Sequence, residues 1–102
     1  MDIGVFGFNT AYTIRPDVFA RALEERGFES IWIGEHSHIP VNRRTPYPAG
    51  GDLPKHYWHM MDPFVSLTAA ACATKKLRLA TGVCLAIESD PIFLAKEIAT
   101  LD

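Results

Sequence analysis

Ser30-Ile31-Trp32-Ile33-Gly34-Glu35-His36-Ser37-His38 is the stretch on which the fold turns. Ile31, Trp32 and Ile33 form a short, nearly continuous apolar run, the pattern of a strand covered on both faces rather than one with a solvated side. The chain then becomes polar at once, at Glu35 and His36, which marks the strand's carboxyl end. The same pattern stands upstream, where Ile3 to Phe8 is apolar and β-favouring, carries two glycines, and is ended by Asn9 and Thr10. Downstream, Leu77 to Leu85 predicts a third strand.

Between these runs the punctuation is helical. Pro16 suits a first helical turn, and the negative charge of Asp17 complements the positive end of the helix dipole. The spacing predicts a helix from Pro16 to near Arg26, with Val18, Phe19, Ala22 and Leu23 on one face, Arg21, Glu24 and Glu25 outward, and Gly27 as the carboxyl-terminal cap. Asp62-Pro63 supplies an N-cap and a first-turn proline for a second, apolar helix containing Phe64, Val65, Leu67, Thr68, Ala71 and Cys72 and running to about Lys75. Pro91 opens a third, whose inward stripe is expected to be Ile92, Leu94, Ala95, Ile98, Ala99 and Leu101. Asn42 to Trp58 holds Pro46, Pro48, Gly50, Gly51 and Pro54, so it reads as an irregular excursion over a site. The order β-α-β-α-β-α pairs the strands in parallel, as a doubly wound sheet or a barrel. The last helix has no capping glycine and no following turn, so residues 1–102 are expected to be the incomplete, amino-terminal part of a larger domain.

Composition narrows the function classes. With 102 residues, 48% hydrophobic and 22% charged, the chain fits one packed unit of an ordinary water-soluble kind. The net charge of −2, the pI near 6.0 and the scattered Lys and Arg residues leave no basic stripe, so nucleic acid is not an expected partner. Met60 to Thr74, the longest nearly uncharged stretch, falls short of the roughly 20 apolar residues that span a bilayer. The amino terminus has no basic region before an apolar core either, and a cytoplasmic location is expected. Cys72 and Cys84 sit in apolar surroundings and read as reduced, buried, structural residues.

The chemistry is expected where strands end. No glycine-rich nucleotide loop follows the first strand, which reads Asn9-Thr10-Ala11-Tyr12-Thr13. Instead a polar residue or special backbone stands at or just past each apolar run: Asn9 after the first, Glu35 and His36 after the second, Gly82 within the third. In a parallel barrel these carboxyl ends share one catalytic face. His36 is the leading candidate, because an imidazole exchanges protons near neutrality; the plainer reading is a histidine that hydrogen-bonds at a strand end. Asn9 reads as pocket floor or as an ordinary turn residue. His38, His56 and His59, together with Glu35 and His36, match no metal-ligand spacing, so no metal is expected. Tyr57 and Trp58 serve either as a lid or as the loop's anchor.

The segments Ile31-Trp32-Ile33-Gly34-Glu35-His36, Leu79-Ala80-Thr81-Gly82-Val83, Pro91-Ile92-Phe93-Leu94-Ala95-Lys96 and Thr100-Leu101-Asp102 resemble the luciferase-like monooxygenase superfamily, most of all its coenzyme F420-dependent oxidoreductases. The resemblance implies an α/β fold, a (β/α)8 TIM barrel of which this chain holds the first three β/α units. It implies hydride transfer with F420, or in the alternative a reduced-FMN monooxygenase, on a small-molecule substrate in a parent protein that could be a homodimer. It also implies that His36 handles a proton, that Glu35 lies against the cofactor ring or orients substrate, and that Asn9, Gly82 and Val83 line the cofactor site. Members of the family hold a non-proline cis peptide at the position of Gly82-Val83; an ordinary glycine allowing close strand packing is the rival reading. Phosphate-binding elements of such barrels lie near the seventh and eighth strands, so a short product without activity is the third expectation.

Overall fold

The structure is a computed structural model describing residues Met1–Asp102. Three strands, β1 (Gly4–Gly7), β2 (Ser30–Ile33) and β3 (Arg78–Thr81), alternate with three helices, α1 (Pro16–Glu25), α2 (Pro63–Ala73) and α3 (Pro91–Leu101). All pairings are parallel, in the order β1-β2-β3, with Gly4, Ser30 and Arg78 level at one end and Gly7, Ile33 and Thr81 level at the other. This order excludes the 2-1-3 arrangement of flavodoxin-like sheets. It fits a barrel wall.

Each helix begins on a proline, as expected, and the caps differ in an informative way. The Asp62 carboxylate accepts from the Val65 N–H at 2.9 Å, and Asp90 accepts from the N–H groups of Ile92 and Phe93 at 2.9 and 3.1 Å. Both satisfy amides that a helix start leaves without partners. Arg15, at the N-cap of α1, makes no such bond and pairs with Asp17 instead. Gly27 terminates α1 at φ +77°, a conformation that costs a side-chain-bearing residue and not glycine.

The core lies on one side of the sheet. Ile31 and Ile33 of β2 point to the helices and meet Ala20 and Leu23 of α1, Leu67 and Ala70 of α2, and Leu77, all buried. In α2 the buried residues Pro63, Ser66, Leu67 and Ala70 follow the i, i+3, i+4, i+7 rule. That helix is apolar nearly all round, so hydrophobicity alone does not choose its face.

Several expectations need correction. In β1 Val5 and Gly7 lie on the face toward the helices while Phe6 stays half exposed, so the strand is covered on one face and not on both. α1 buries Ala20 with Leu23, and Val18 is exposed. β3 ends at Thr81 rather than Leu85, and a 3₁₀ turn follows at Ala86–Glu88. Most of the expected stripe of α3 is not buried: the helix packs chiefly along α2, with Leu94 and Leu101 partly covered and Ile92, Ala95, Ile98 and Ala99 exposed. Cys72 and Cys84 are exposed, the first on the outer side of α2 and the second beyond the end of β3. The excursion after β2 carries a 3₁₀ turn, Lys55–His59. No helix is long and apolar enough to cross a membrane.

Candidate functional site

Because Gly7, Ile33 and Thr81 are level, the residues just beyond them form one rim. Asn9, Glu35 and Val83 each lie two residues past a strand's end, and the Gly82 N–H still donates to the Ile33 carbonyl at 2.7 Å. The residues expected to act together are thus brought to one end of the sheet. Their roles in holding that end differ.

Asn9 is buried, and its side-chain amide donates to Ser66 Oγ, whose hydroxyl donates in turn to the Asp62 carbonyl at 2.7 Å. The Asn9 carbonyl accepts from the Met61 N–H at 2.9 Å. Asn9 therefore pins the end of β1 to the start of α2, and it also borders a cavity of about 170 Å³ with Gly7, Phe19, Ile31 and Ile33. Glu35 is half buried and accepts from the Leu85 N–H at 2.5 Å. Two residues on, the Ser37 hydroxyl donates to the Glu88 carboxylate, which lies 3.8 Å from His38 Nδ1. The segment leaving β2 thereby fixes the segment leaving β3.

Gly82 has a steric reason to be glycine. A Cβ at this position would overlap the ring of Phe6, which lies across both Gly82 and Gly34 on the sheet's open face. Every peptide bond is trans, Gly82-Val83 included, and the contact with Phe6 fits the close-packing reading of this glycine rather than a cis peptide.

His36 is half buried, its ring edge-on to Tyr57 at 5.1 Å between centroids and 71° between planes. It lines a cleft of about 300 Å³ with residues of the excursion, among them Arg43, Thr45, Tyr47, Leu53 and Tyr57. The Tyr57 hydroxyl titrates above the ordinary phenol range, first because it is partly withdrawn from water and then because Tyr47 lies beside it. It remains a neutral hydrogen-bonding group.

Sequence reasoning missed the aromatic train that joins rim to excursion. Phe6 meets Phe8 edge-on at 5.4 Å, Phe8 meets His56 at 4.2 Å, and His56 meets Tyr57 at 4.3 Å. His56 Nε2 is buried with no hydrogen-bond partner. The signal was present in the spacing of Phe6 and Phe8, two apart on one side of a strand, but the partner imidazole lies in a segment that composition assigned to irregular loop. No three His, Cys, Asp or Glu side chains come together as a metal site.

A parallel, one-sided β/α sheet whose polar and aromatic groups collect at the strands' carboxyl ends is compatible with part of a TIM-barrel wall. Residues 16–102 match the family described as luciferase-like monooxygenase, and the chain belongs to that family. It is 47% identical over 105 residues to Uncharacterized protein Mb0978c of Mycobacterium bovis and, to the same degree, to Uncharacterized protein Rv0953c of Mycobacterium tuberculosis. Those matches cover 100% of this chain and 37% of each relative, so the chain spans a little over a third of their length.

Members of this family use a flavin or F420. The residues present fit the ring of such a group. Phe6 and Phe8, both partly exposed, offer an apolar platform at the rim on which such a ring could lie.

Proposed function

We propose that this chain forms the first three units of a (β/α)8 barrel oxidoreductase that transfers hydride with F420, and that His36 is its proton-handling residue. Three β/α units in 37% of the relatives' length leave those relatives room for about five more, the count that closes such a barrel. The observation that carries the catalytic reading is the placement of His36: half buried, at the carboxyl end of β2, facing a cleft.

When bound, the cofactor supplies the hydride chemistry, and the protein supplies orientation and electrostatics. Phe6 and Phe8 would lie against its ring, with Asn9, Gly82 and Val83 at the rim beside it. Tyr57 fixes the plane of the His36 imidazole by its edge-on contact, so that a ring nitrogen can hold or release a proton toward the cleft. Glu35 acts through backbone: by accepting from Leu85 it holds the chain after β3 at the rim. The excursion from Asn42 to Trp58 supplies most of the wall of the cleft that His36 faces. A reduced-FMN monooxygenase is the second reading, favoured by the monooxygenase description of the family.

In the full-length protein, His36→Ala is expected to slow single-turnover hydride transfer by about 100-fold or more while cofactor affinity changes little. Unchanged turnover removes His36 from the reaction. Titrating the same protein with F420 and with FMN decides the cofactor.

A further inference from the structure

We infer that the cleft beside His36 is a substrate subsite for a small planar carboxylate, with Arg43 receiving the carboxylate and the wall formed by Tyr47 and Tyr57 supporting the ring. The inference rests on the oxidoreductase reading for calling the ligand a substrate, and on the cleft alone for the ligand's chemistry.

Ten residues line the cleft: His36, Arg43, Thr45, Tyr47, Leu53 and Tyr57 carry most of its chemistry, and Ile39 and three prolines complete it. No Asp or Glu is among them, and Arg43 is the one side chain that is charged at every accessible pH. Its guanidinium is held from one side, Nη2 donating to the Thr45 carbonyl at 3.2 Å, and no carboxylate pairs with it. A guanidinium has five N–H donors in a fixed fork that matches a carboxylate edge to edge. Arg43 is exposed, and apart from the bond to Thr45 its donors pair with no group of the chain, so they can turn to an anion that enters the cleft.

The rest of the wall sets the ligand's shape. Tyr57 stands edge-on to His36 and to Tyr47, at 5.1 and 6.0 Å between centroids, so the three rings form one continuous aromatic wall of the cleft, which favours a flat, unsaturated body lying against it. Pro40, Pro46 and Pro48 fix φ along the wall and reduce what must be ordered when a ligand enters. A volume of about 300 Å³ lies at the small end of ligand pockets, which suits a single ring with a short acidic arm. One fixed cation matches the single charge of a carboxylate better than the double charge of a phosphate monoester.

The test is a binding titration of the full-length protein without cofactor, using trans-cinnamate and its neutral isostere trans-cinnamamide, followed by calorimetry. Cinnamate is expected to bind about tenfold or more tightly than the amide, as hydrogen bonds to a charged partner imply. Arg43→Gln is expected to bring the two affinities together, and Arg43→Lys to keep part of the preference; circular dichroism shows that both variants are folded. Equal affinities in the unaltered protein, no cinnamate binding, an undiminished preference in Arg43→Gln, or a lysine variant as indifferent as the glutamine one overturns the proposal. So does tighter binding of phenyl phosphate than of cinnamate. Because no turnover is measured, this result stands or falls separately from the role of His36.

Discussion

The two faces of the one sheet are built from adjacent residues and end in opposite states. Ile31 is wholly buried against α1 and α2, while Trp32, the next residue, is 43% exposed on the other side, level with Phe6 at 51%. Both faces are apolar in sequence, and only one is covered by helices. A strand that is apolar on alternate and intervening positions alike belongs to a sheet enclosed on both sides. In the proposed barrel the open face is the inside, where side chains from neighbouring strands fill the space between them.

The largest expected effect tests that contrast directly. Ile31→Ala should destabilise the chain by about 2–4 kcal/mol in urea unfolding, since it empties a position with no exposure at all. Trp32→Ala in the 102-residue chain should cost less than half as much. The half-exposed indole there lies over Gly4 and donates to Ser30 Oγ at 2.9 Å, and little else holds it. In the full-length protein the cost of Trp32→Ala should rise toward that of Ile31→Ala. Equal costs in the short chain break the comparison, and an unchanged Trp32 cost at full length removes the barrel interior as its explanation.

A smaller effect belongs to Gly82, where the open face is tightest. Gly82→Ala forces the Phe6 ring aside and should cost about 1–2 kcal/mol, at the low end of overpacking because the ring has solvent to move into. Adding Phe6→Ala should abolish the penalty, so that a double-mutant cycle reads the coupling between the two residues. No coupling means that Gly82 is needed for its backbone alone.

What the sequence made legible follows from how local each signal is. Proline at each helix start, Asp62 as a cap, Gly27 closing α1, and the abrupt polarity after Ile33 are readable within a few residues, and the structure agrees with them. The rim positions were readable for the same reason: a strand's end shows as a change from apolar to polar. What joins them was not. Asn9 meets Ser66, and Glu35 meets Leu85, across 57 and 50 residues of chain, and periodicity contains no distances of that kind. α3 carried an apolar stripe in sequence that is left mostly exposed, and the end of β3 was hidden because Val83, Cys84 and Leu85 are as apolar as the strand they follow.

Glu24 is the clearest case of a residue whose sequence context misleads, and it carries the smallest of these effects. Expected to point outward, it lies in the last turn of α1, where a negative charge opposes the helix dipole. That misplacement is itself a clue to a partner. Its Oε1 accepts from three successive backbone N–H groups, those of Lys76, Lys75 and Leu77 at 2.6, 2.8 and 2.9 Å, and so fastens α1 to the turn that starts β3 on the covered side. These bonds, Lys76 foremost, favour the ionised carboxylate and lower its pKa below the ordinary 4.5. A group whose pKa falls on folding stabilises the folded state fully above its unfolded value and loses that contribution as pH drops through the folded one. Glu24→Gln should therefore lower the urea midpoint by a constant, modest amount above about pH 5, because the site is open to solvent and screened. The gap should then close as the pH falls below 4.5. Asp17 and Glu29 also have lowered pKa values and lose stability in the same direction, but their contributions are common to both proteins and cancel in the difference. A gap that persists unchanged to strongly acid pH means the glutamine fails for want of an acceptor geometry rather than a charge, and the covered face is then tied at this corner by shape alone.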